Sequence, residues 1–205
     1  MPLTGTTKSE LRKQLRALRR KLSNQQQQLA AQSCLQLAKR QGVFQRARSL
    51  ALYCANDGEV NVNPIWEWAI QRQKICCWPV LNRKTTTLRF VPAQPSTSFR
   101  PNRFGIPEPV VKRSLAIPAW RLDVILLPLV AFDRRGGRLG MGGGFYDRTL
   151  QQLQRRPRRP LLIGVGHACQ EVQTLPMDDW DVPLDAVLSN TGWCWIAPPL
   201  RSKIL

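Results

Sequence analysis

The feature that most constrains this chain is the stretch AFDRRGGRLGMGGGFYDR at residues 131–148. An apolar run, residues 124–130, precedes it and reads as a buried strand. An amphipathic segment, residues 146–153, follows it and reads as a helix. Between them lie Gly136, Gly137, Gly140, Gly142, Gly143 and Gly144, with Arg138 inside and Asp133 and Asp147 at the rims. Glycines let a backbone turn several N–H groups toward one anion. A helix N-terminus adds unpaired donors, and Arg138 adds a fork of them. The pattern is therefore a cradle for phosphate, with carboxylates near enough to hold a divalent cation. It is not the P-loop, which requires Lys then Ser or Thr where Phe145 and Tyr146 follow Gly144. Nor does G-x-G-x-G at Gly140, Gly142 and Gly144 make a dinucleotide fingerprint. A plain linker would not need an arginine, two flanking acids and an aromatic pair.

Lys and Arg total 31 against 13 Asp and Glu, a formal net charge of +18 over 205 residues. Such a chain attracts polyanions, whether nucleic acid, acidic membrane, nucleotide or polycarboxylate. Six cysteines stand with no C-x-x-C spacing, and His167 is the sole histidine. The thiols read as reduced and packed, as in a cytoplasmic protein, and zinc is not expected. No apolar run reaches membrane-spanning length, and the N-terminus has no signal-peptide core.

Leu11, Leu15, Leu18 and Leu22 recur at helical spacing, with Ser9 a candidate cap. Ser23 can cap a second helix reaching Arg40, with Gly42 as its stop. Residues 49–55, 75–80, 86–91, 124–127, 161–165 and 186–188 read as strands, and Asn63–Pro64 opens a short helix. Residues 92–109 read as a long loop, and the basic run at residues 155–160 ends the helix after the glycines. The alternation predicts one α/β domain over residues 1–205: three α/β/α layers, a mostly parallel Rossmann-like sheet and an N-terminal helical pair. In such sheets ligands bind beyond the carboxyl ends of the strands, where the glycine loop lies.

The chain resembles the 5-formyltetrahydrofolate cyclo-ligases, also called methenyltetrahydrofolate synthetases. DVILLPLVAFDRRGGRLGMGGGFYDR at residues 123–148 carries most of the likeness. KSELR (8–12), NDGEV (56–60), FGIPEP (104–109) and DVPLD (181–185) support it in the same order. The resemblance implies ATP-dependent cyclisation of 5-formyltetrahydrofolate to 5,10-methenyltetrahydrofolate, with ADP and phosphate released and the formyl oxygen activated by phosphorylation. ATP and Mg2+ are implied with it, as is a monomer that acts on small molecules, the folate with or without a polyglutamyl tail.

Read onto this sequence, the resemblance implies an ATP site of Lys8, Ser9, Glu10, Leu11 and Arg12 with Gly137, Arg138, Leu139, Gly140, Met141, Gly142, Gly143, Gly144, Phe145 and Tyr146. Lys8 and Arg12, four apart, share a helical face; without the resemblance they would read as solvated cations. Arg138 is the implied catalytic cation, on a ligand loop rather than in the core. Asp147 and Asp185 are the implied magnesium carboxylates; the alternatives are a first-turn helical acid and a turn residue. Asp133 either assists the metal or braces the loop. Glu59 is the implied folate carboxylate, joined at the substrate site by Cys54, Phe104, Met141, Gly143 and Phe145. Phe104 lies either against the pterin or in an ordinary core contact. Many relatives carry Tyr or Arg where Met141 stands, Tyr at Phe145 and His at Trp180. His167 reads as structural. Membrane association is not expected, and nucleic acid only non-specifically through charge, since no RNA-binding module is recognisable.

Overall fold

The structure is a computed structural model that describes residues 7–82, 84–153 and 156–196. Helix α1 (Lys8–Arg20) is closed by a reciprocal cap: the Thr7 hydroxyl accepts from Glu10 N, and the Glu10 carboxylate accepts from Thr7 N at 2.8 Å. Ser9, the expected cap, therefore lies inside the helix. Its apolar stripe also differs from expectation. Leu11 and Leu15 are buried, but Leu18 is 47% exposed, and the third buried position is Arg19. Ser23 and Gln26 form the same kind of cap on α2 (Asn24–Arg40). Gly42 does not stop that helix; extended Gln41 ends it, and Gly42 begins α3 (Gly42–Arg46).

The remaining elements follow as β1 (Ser49–Ala51), α4 (Asn63–Gln71), β2 (Ile75–Leu81), β3 (Leu88–Pro92), β4 (Phe99–Pro101) and β5 (Pro107–Pro109), then β6 (Val124–Pro128), β7 (Ala131–Phe132), β8 (Arg138–Leu139), α5 (Phe145–Leu150), β9 (Leu161–Gly166), β10 (Ala186–Ser189) and β11 (Gly192–Trp195). One seven-stranded sheet runs in the order β11-β10-β9-β6-β1-β2-β3. Its inner pairings are parallel, and β3 and β11 close the edges antiparallel. The expected α/β class and mostly parallel sheet are present. Three features went unread: β11, the β4–β5 hairpin inside the expected long loop, and the β7–β8 hairpin inside the glycine-rich stretch. The basic run at residues 155–160 begins outside the described residues.

Side chains alternate across the sheet. Leu50, Val124, Leu126 and Ile163 face α2 and α4 in one cluster, with Cys34, Ile65 and Trp68. Ile125, Leu127, Leu162 and Val187 face the other way, toward Leu150 and Leu153. Adjacent Cys76 and Cys77 divide between the two faces, as their spacing predicts. A third cluster sets Leu11 and Leu15 against Val130, Ala131 and Leu139, which seats α1 on the β7–β8 hairpin. No helix among the described residues is long and apolar enough to cross a membrane.

The hairpin turns at Gly136, whose φ is 91°. A Cβ there would stand 3.0 Å from Leu184 O and 2.9 Å from Ile196 Cγ2. Gly136→Ala is expected to lower stability by about 2–3 kcal/mol, read by denaturant unfolding, since left-handed strain and overpacking add. An unchanged midpoint would contradict this geometry.

Candidate active site

The glycine-rich stretch is held by an acid rather than free. Asp133 is 1% exposed; its Oδ1 accepts from Arg135 N and Gly137 N at 2.9 and 2.8 Å, and its Oδ2 accepts from Leu175 N at 2.8 Å. A side chain so occupied braces the turn, and it stands behind the lining of the cleft described below. Arg138 follows within β8 and is 6% exposed, so it belongs to the wall of the site rather than to a mobile loop. Its NH2 donates to Asp147 Oδ1 at 2.6 Å, and its guanidinium lies 5.9 Å from the Tyr146 ring centroid. Its Nε is buried with no acceptor among the described residues. A buried donor left unpaired is costly, and an anionic oxygen would satisfy it. Helix α5 is shorter than expected, six residues before a 3-10 turn at Gln151–Leu153, so its end adds little.

These residues form one wall of a cleft of about 770 Å³. It takes in Arg138, the whole run from Leu139 to Tyr146, and Asp147. From α1 only Lys8 and Arg12 reach it. Lys8 Nζ donates to Asp178 and Asp181 at 2.7 Å each, and Arg12 Nε donates to Gly140 O at 2.9 Å. Burial works against the charge on Lys8, but those two acceptors outweigh it and hold its pKa above the ordinary value. Ser9 and Glu10 face solvent and Leu11 faces the core, so those three expected contacts are not among the lining side chains. Gly137 also lies outside the lining, its backbone N–H given to Asp133.

The opposite wall is the turn at residues 56–59. Arg19 is fully buried and reaches into this turn. It donates to Asp57 O at 2.7 Å, Asp57 Oδ2 at 3.0 Å and Leu129 O at 3.0 Å. Arg16 and Arg20 close on the same Asp57 carboxylate. Asp57 and Gly58 have φ of 53° and 79°, and Gly58 O faces His167 Nε2 and Gln27 Nε2, each at 3.1 Å. His167 is thus structural, as the sequence predicts. The turn presents Glu59, its side chain 9% exposed, with Oε1 3.7 Å from Arg19 NH2 and Oε2 accepting from Asn56 N at 3.1 Å. Burial pushes the Glu59 carboxyl up to about 7, against the pull of Arg19 and the Asn56 N–H. Cys54 lines the same wall, its thiol pushed up to about 11 by burial, which makes it a packing group and not a nucleophile. Phe104 meets Phe145 edge to face at 5.7 Å, and Met141 Sδ receives Arg19 NH2 at 3.8 Å.

The two expected metal carboxylates are not brought together. Asp147 lines the cleft; Asp185 does not. Arg159 grips Asp185 through two contacts of 2.6 Å, and Leu162 N donates to it at 2.8 Å, so it ties β10 to the start of β9. No cluster of three His, Cys, Asp or Glu side chains suited to a metal occurs among the described residues. Sequence reading missed Arg19, Asp57, Asp178 and Glu108, the last a cleft residue that accepts from Leu81 N at 2.8 Å. A cation four and eight residues beyond Leu15 and Leu11 was the one available signal for Arg19.

A model of the 5-formyltetrahydrofolate cyclo-ligase family matches residues 4–190. The chain is 39% identical to the 5-formyltetrahydrofolate cyclo-ligase of Haemophilus influenzae over 182 residues, 88% of this chain and 96% of the relative. It is 38% identical to the Escherichia coli K12 protein of the same name, over 88% of this chain and all of the relative. Among solved structures, Aquifex aeolicus 5,10-methenyltetrahydrofolate synthetase superposes with a TM-score of 0.79 at 30% identity, covering 94% of each chain. The Mycoplasma pneumoniae synthetase superposes at 0.70 and 26%, covering 90% of this chain and 99% of that one.

The raised Glu59 carboxyl has a signature in stability. Its folded-state value of about 7 exceeds the ordinary 4.5, so the folded chain holds the proton more tightly. That contribution is complete below about pH 4.5 and is lost as pH rises through about 7. Glu59→Gln stays neutral, and is expected to exceed the parent chain above about pH 7 by on the order of 2 kcal/mol, with the gap closing below about pH 5. Thermal melts across that range check it; a gap independent of pH would contradict the buried carboxyl.

Proposed function

The chain belongs to the 5-formyltetrahydrofolate cyclo-ligase family, and from that premise we propose how its cleft performs the family's ATP-dependent cyclisation. The formyl oxygen of 5-formyltetrahydrofolate attacks the γ-phosphorus of ATP, and ADP leaves. The N10 nitrogen then attacks the activated formyl carbon, losing its proton to solvent. Cleavage of the carbon–oxygen bond expels phosphate and leaves 5,10-methenyltetrahydrofolate. Charge moves onto phosphoryl oxygens in the first step and leaves with phosphate in the last. The site's work is therefore to position two anionic reactants and to neutralise that charge.

Arg138 is the cation assigned to the transferred phosphoryl group, with its unpartnered Nε taking an oxygen and its NH2 kept in place by Asp147. Lys8 and Arg12 hold the remaining phosphates. Lys8's bonds to Asp178 and Asp181 are partly exposed pairs of small net worth, which a triphosphate can displace. The N–H groups of the glycine run complete the cradle. Glu59 accepts from the N–H edge of the pterin, and Phe104, Phe145 and Met141 cover its ring. Magnesium would arrive with ATP. Asp147 suits it: both hydrogen bonds to Asp147 fall on Oδ1, from Arg138 at 2.6 Å and Val182 N at 3.5 Å, so Oδ2 takes none among the described residues. Such a cation would screen the phosphate charge, with phosphate oxygens and water as its other ligands. Asp185, gripped by Arg159, is left a structural role. A cytoplasmic setting fits the six free thiols. A monomer fits a cleft whose two walls come from one chain, and a folate with a polyglutamyl tail fits the high positive charge.

The single observation that carries this reading is the buried, unpaired Arg138 nitrogen in the same cleft as the folate-facing Glu59. The test follows methenyl absorbance in the near ultraviolet and ADP release together, using purified protein, 5-formyltetrahydrofolate and MgATP. Both products should appear in equal amounts. ADP without the methenyl product, or neither from folded protein, would overturn the reading. Arg138→Lys keeps the charge but loses the planar fork, and is expected to lower kcat about 10²-fold with a melting temperature within a few degrees of the parent.

A further inference from the structure

Phe104 stands at the tip of the β4–β5 hairpin, 52% exposed, with its ring centroid 5.7 Å from that of Phe145, so the tip reaches the glycine-rich wall of the cleft. The hairpin's own ladder does little to hold it there. Its pairs are Phe99 with Pro109, Arg100 with Glu108 and Pro101 with Pro107, so three of the six residues are prolines with no N–H to donate. Gly105 turns the chain with φ of 74°, and a Cβ there would meet nothing within 4 Å among the described residues. Packing over the turn therefore adds no hold of its own.

Two side chains supply what the ladder lacks. Asn102, Phe104, Ile106 and Glu108 all line the cleft, the every-second-residue pattern of one hairpin face. Asn102 Oδ1 accepts from Phe104 N at 2.8 Å and from Ile106 N at 3.2 Å. Those two bonds set the orientation of the amide, whose Nδ2 donates to Glu108 Oε1 at 2.9 Å. The same Glu108 oxygen accepts from Leu81 N at 2.8 Å. A relay of hydrogen bonds thus runs from the end of β2, through Glu108 and Asn102, to the backbone of the aromatic residue at the tip. Both side chains are half-buried, where water competes less for each bond.

We propose that Asn102 and Glu108 are positioning residues for the folate substrate: they hold Phe104 where its ring covers the pterin. The inference rests on the folate reading above. A ring on a loose tip would be ordered anew at each binding event, whereas a ring placed beforehand escapes that cost. The effect falls on the folate and not on the nucleotide, because Lys8, Arg12 and Arg138 lie off this hairpin. Glu108 acts here as an acceptor and not through its charge, since the oxygen of an amide can accept from the same two N–H groups.

The test is steady-state kinetics on the full chain, with 5-formyltetrahydrofolate and MgATP varied in turn. Asn102→Asp keeps an oxygen for Phe104 N and Ile106 N but turns the donor facing Glu108 into a second carboxylate oxygen. It should raise KM for the folate about tenfold, with kcat within about threefold and KM for MgATP within about twofold of the parent. Glu108→Gln, the conservative change, should cost no more than about threefold in folate KM. The Asn102→Asp/Glu108→Gln pair reverses the bond, the glutamine amide donating to the aspartate, and should recover most of the loss. Phe104→Leu alone should raise folate KM by about as much as Asn102→Asp, and the two together should be far from additive, since both act through one ring. An unchanged folate KM in Asn102→Asp, an equal rise for MgATP, no recovery in the reversed pair, or losses that simply add to that of Phe104→Leu would overturn the proposal. A loss in Glu108→Gln as large as that in Asn102→Asp would also overturn it and assign the carboxylate itself to the substrate. Failure of the parent chain to turn over the folate is a separate outcome that would remove the folate reading and this inference with it.

Discussion

The buried guanidinium of Arg19 is the contact on which the rest of the site depends. It leaves α1, donates to the turn at residues 56–59, and reaches Leu129 O at the carboxyl end of β6. A charge this deep is tolerable only when its donors are satisfied, and Asp57 and two carbonyls satisfy them. The geometry therefore joins three segments distant in sequence: the first helix, the Asp57–Gly58 turn and the segment that enters the glycine-rich hairpin. Gly58 is needed at its position because φ is 79° and a Cβ would stand 3.3 Å from Arg19 O. With the turn fixed in this way, Glu59 has one direction to face.

The cleft then has two chemically distinct walls. One is cationic and built of backbone and arginine: Lys8, Arg12, Arg138 and the glycines. The other is the Glu59 carboxylate with a hydrophobic surround. A nucleotide and a pterin have opposite requirements, anion acceptance against N–H acceptance, and the proposed function assigns one wall to each. On the proposed reading, a pterin's N–H donors would draw the Glu59 carboxyl toward its charged form. The Glu59 wall is thus the part of the site that answers to pH near neutrality.

Much of the fold was legible because parallel strands write themselves as short apolar runs and Ser23 stands as a cap before its helix, whereas the Thr-x-x-Glu cap at Thr7 was passed over for Ser9. β4, β5, β7 and β8 were not, because two- and three-residue strands carry no period. The cationic cradle and Glu59 were legible through the resemblance carried by KSELR, NDGEV and the glycine run. Asp185 misled because a carboxylate in a motif looks the same whether it holds a metal or, as here, Arg159. Arg138 was expected on a loop, yet the short β8 pairing buries it. Arg19 left only its place on the stripe of Leu11 and Leu15 as a signal: a buried arginine otherwise has the sequence signature of a solvated one, and the packing of Asp57 against α1 is what distinguishes them.

The most direct measurement is to compare folate and nucleotide binding in Arg19→Met, which keeps the bulk of the side chain and removes its charge. Asp57 keeps Arg16 and Arg20 as partners, so the fold should survive. Calorimetric titration should then show affinity for 5-formyltetrahydrofolate lowered about tenfold or more, with affinity for MgATP within about twofold of the parent. Equal loss of both ligands, or no loss of either in folded protein, would contradict the claim that Arg19 sets the folate wall of the cleft.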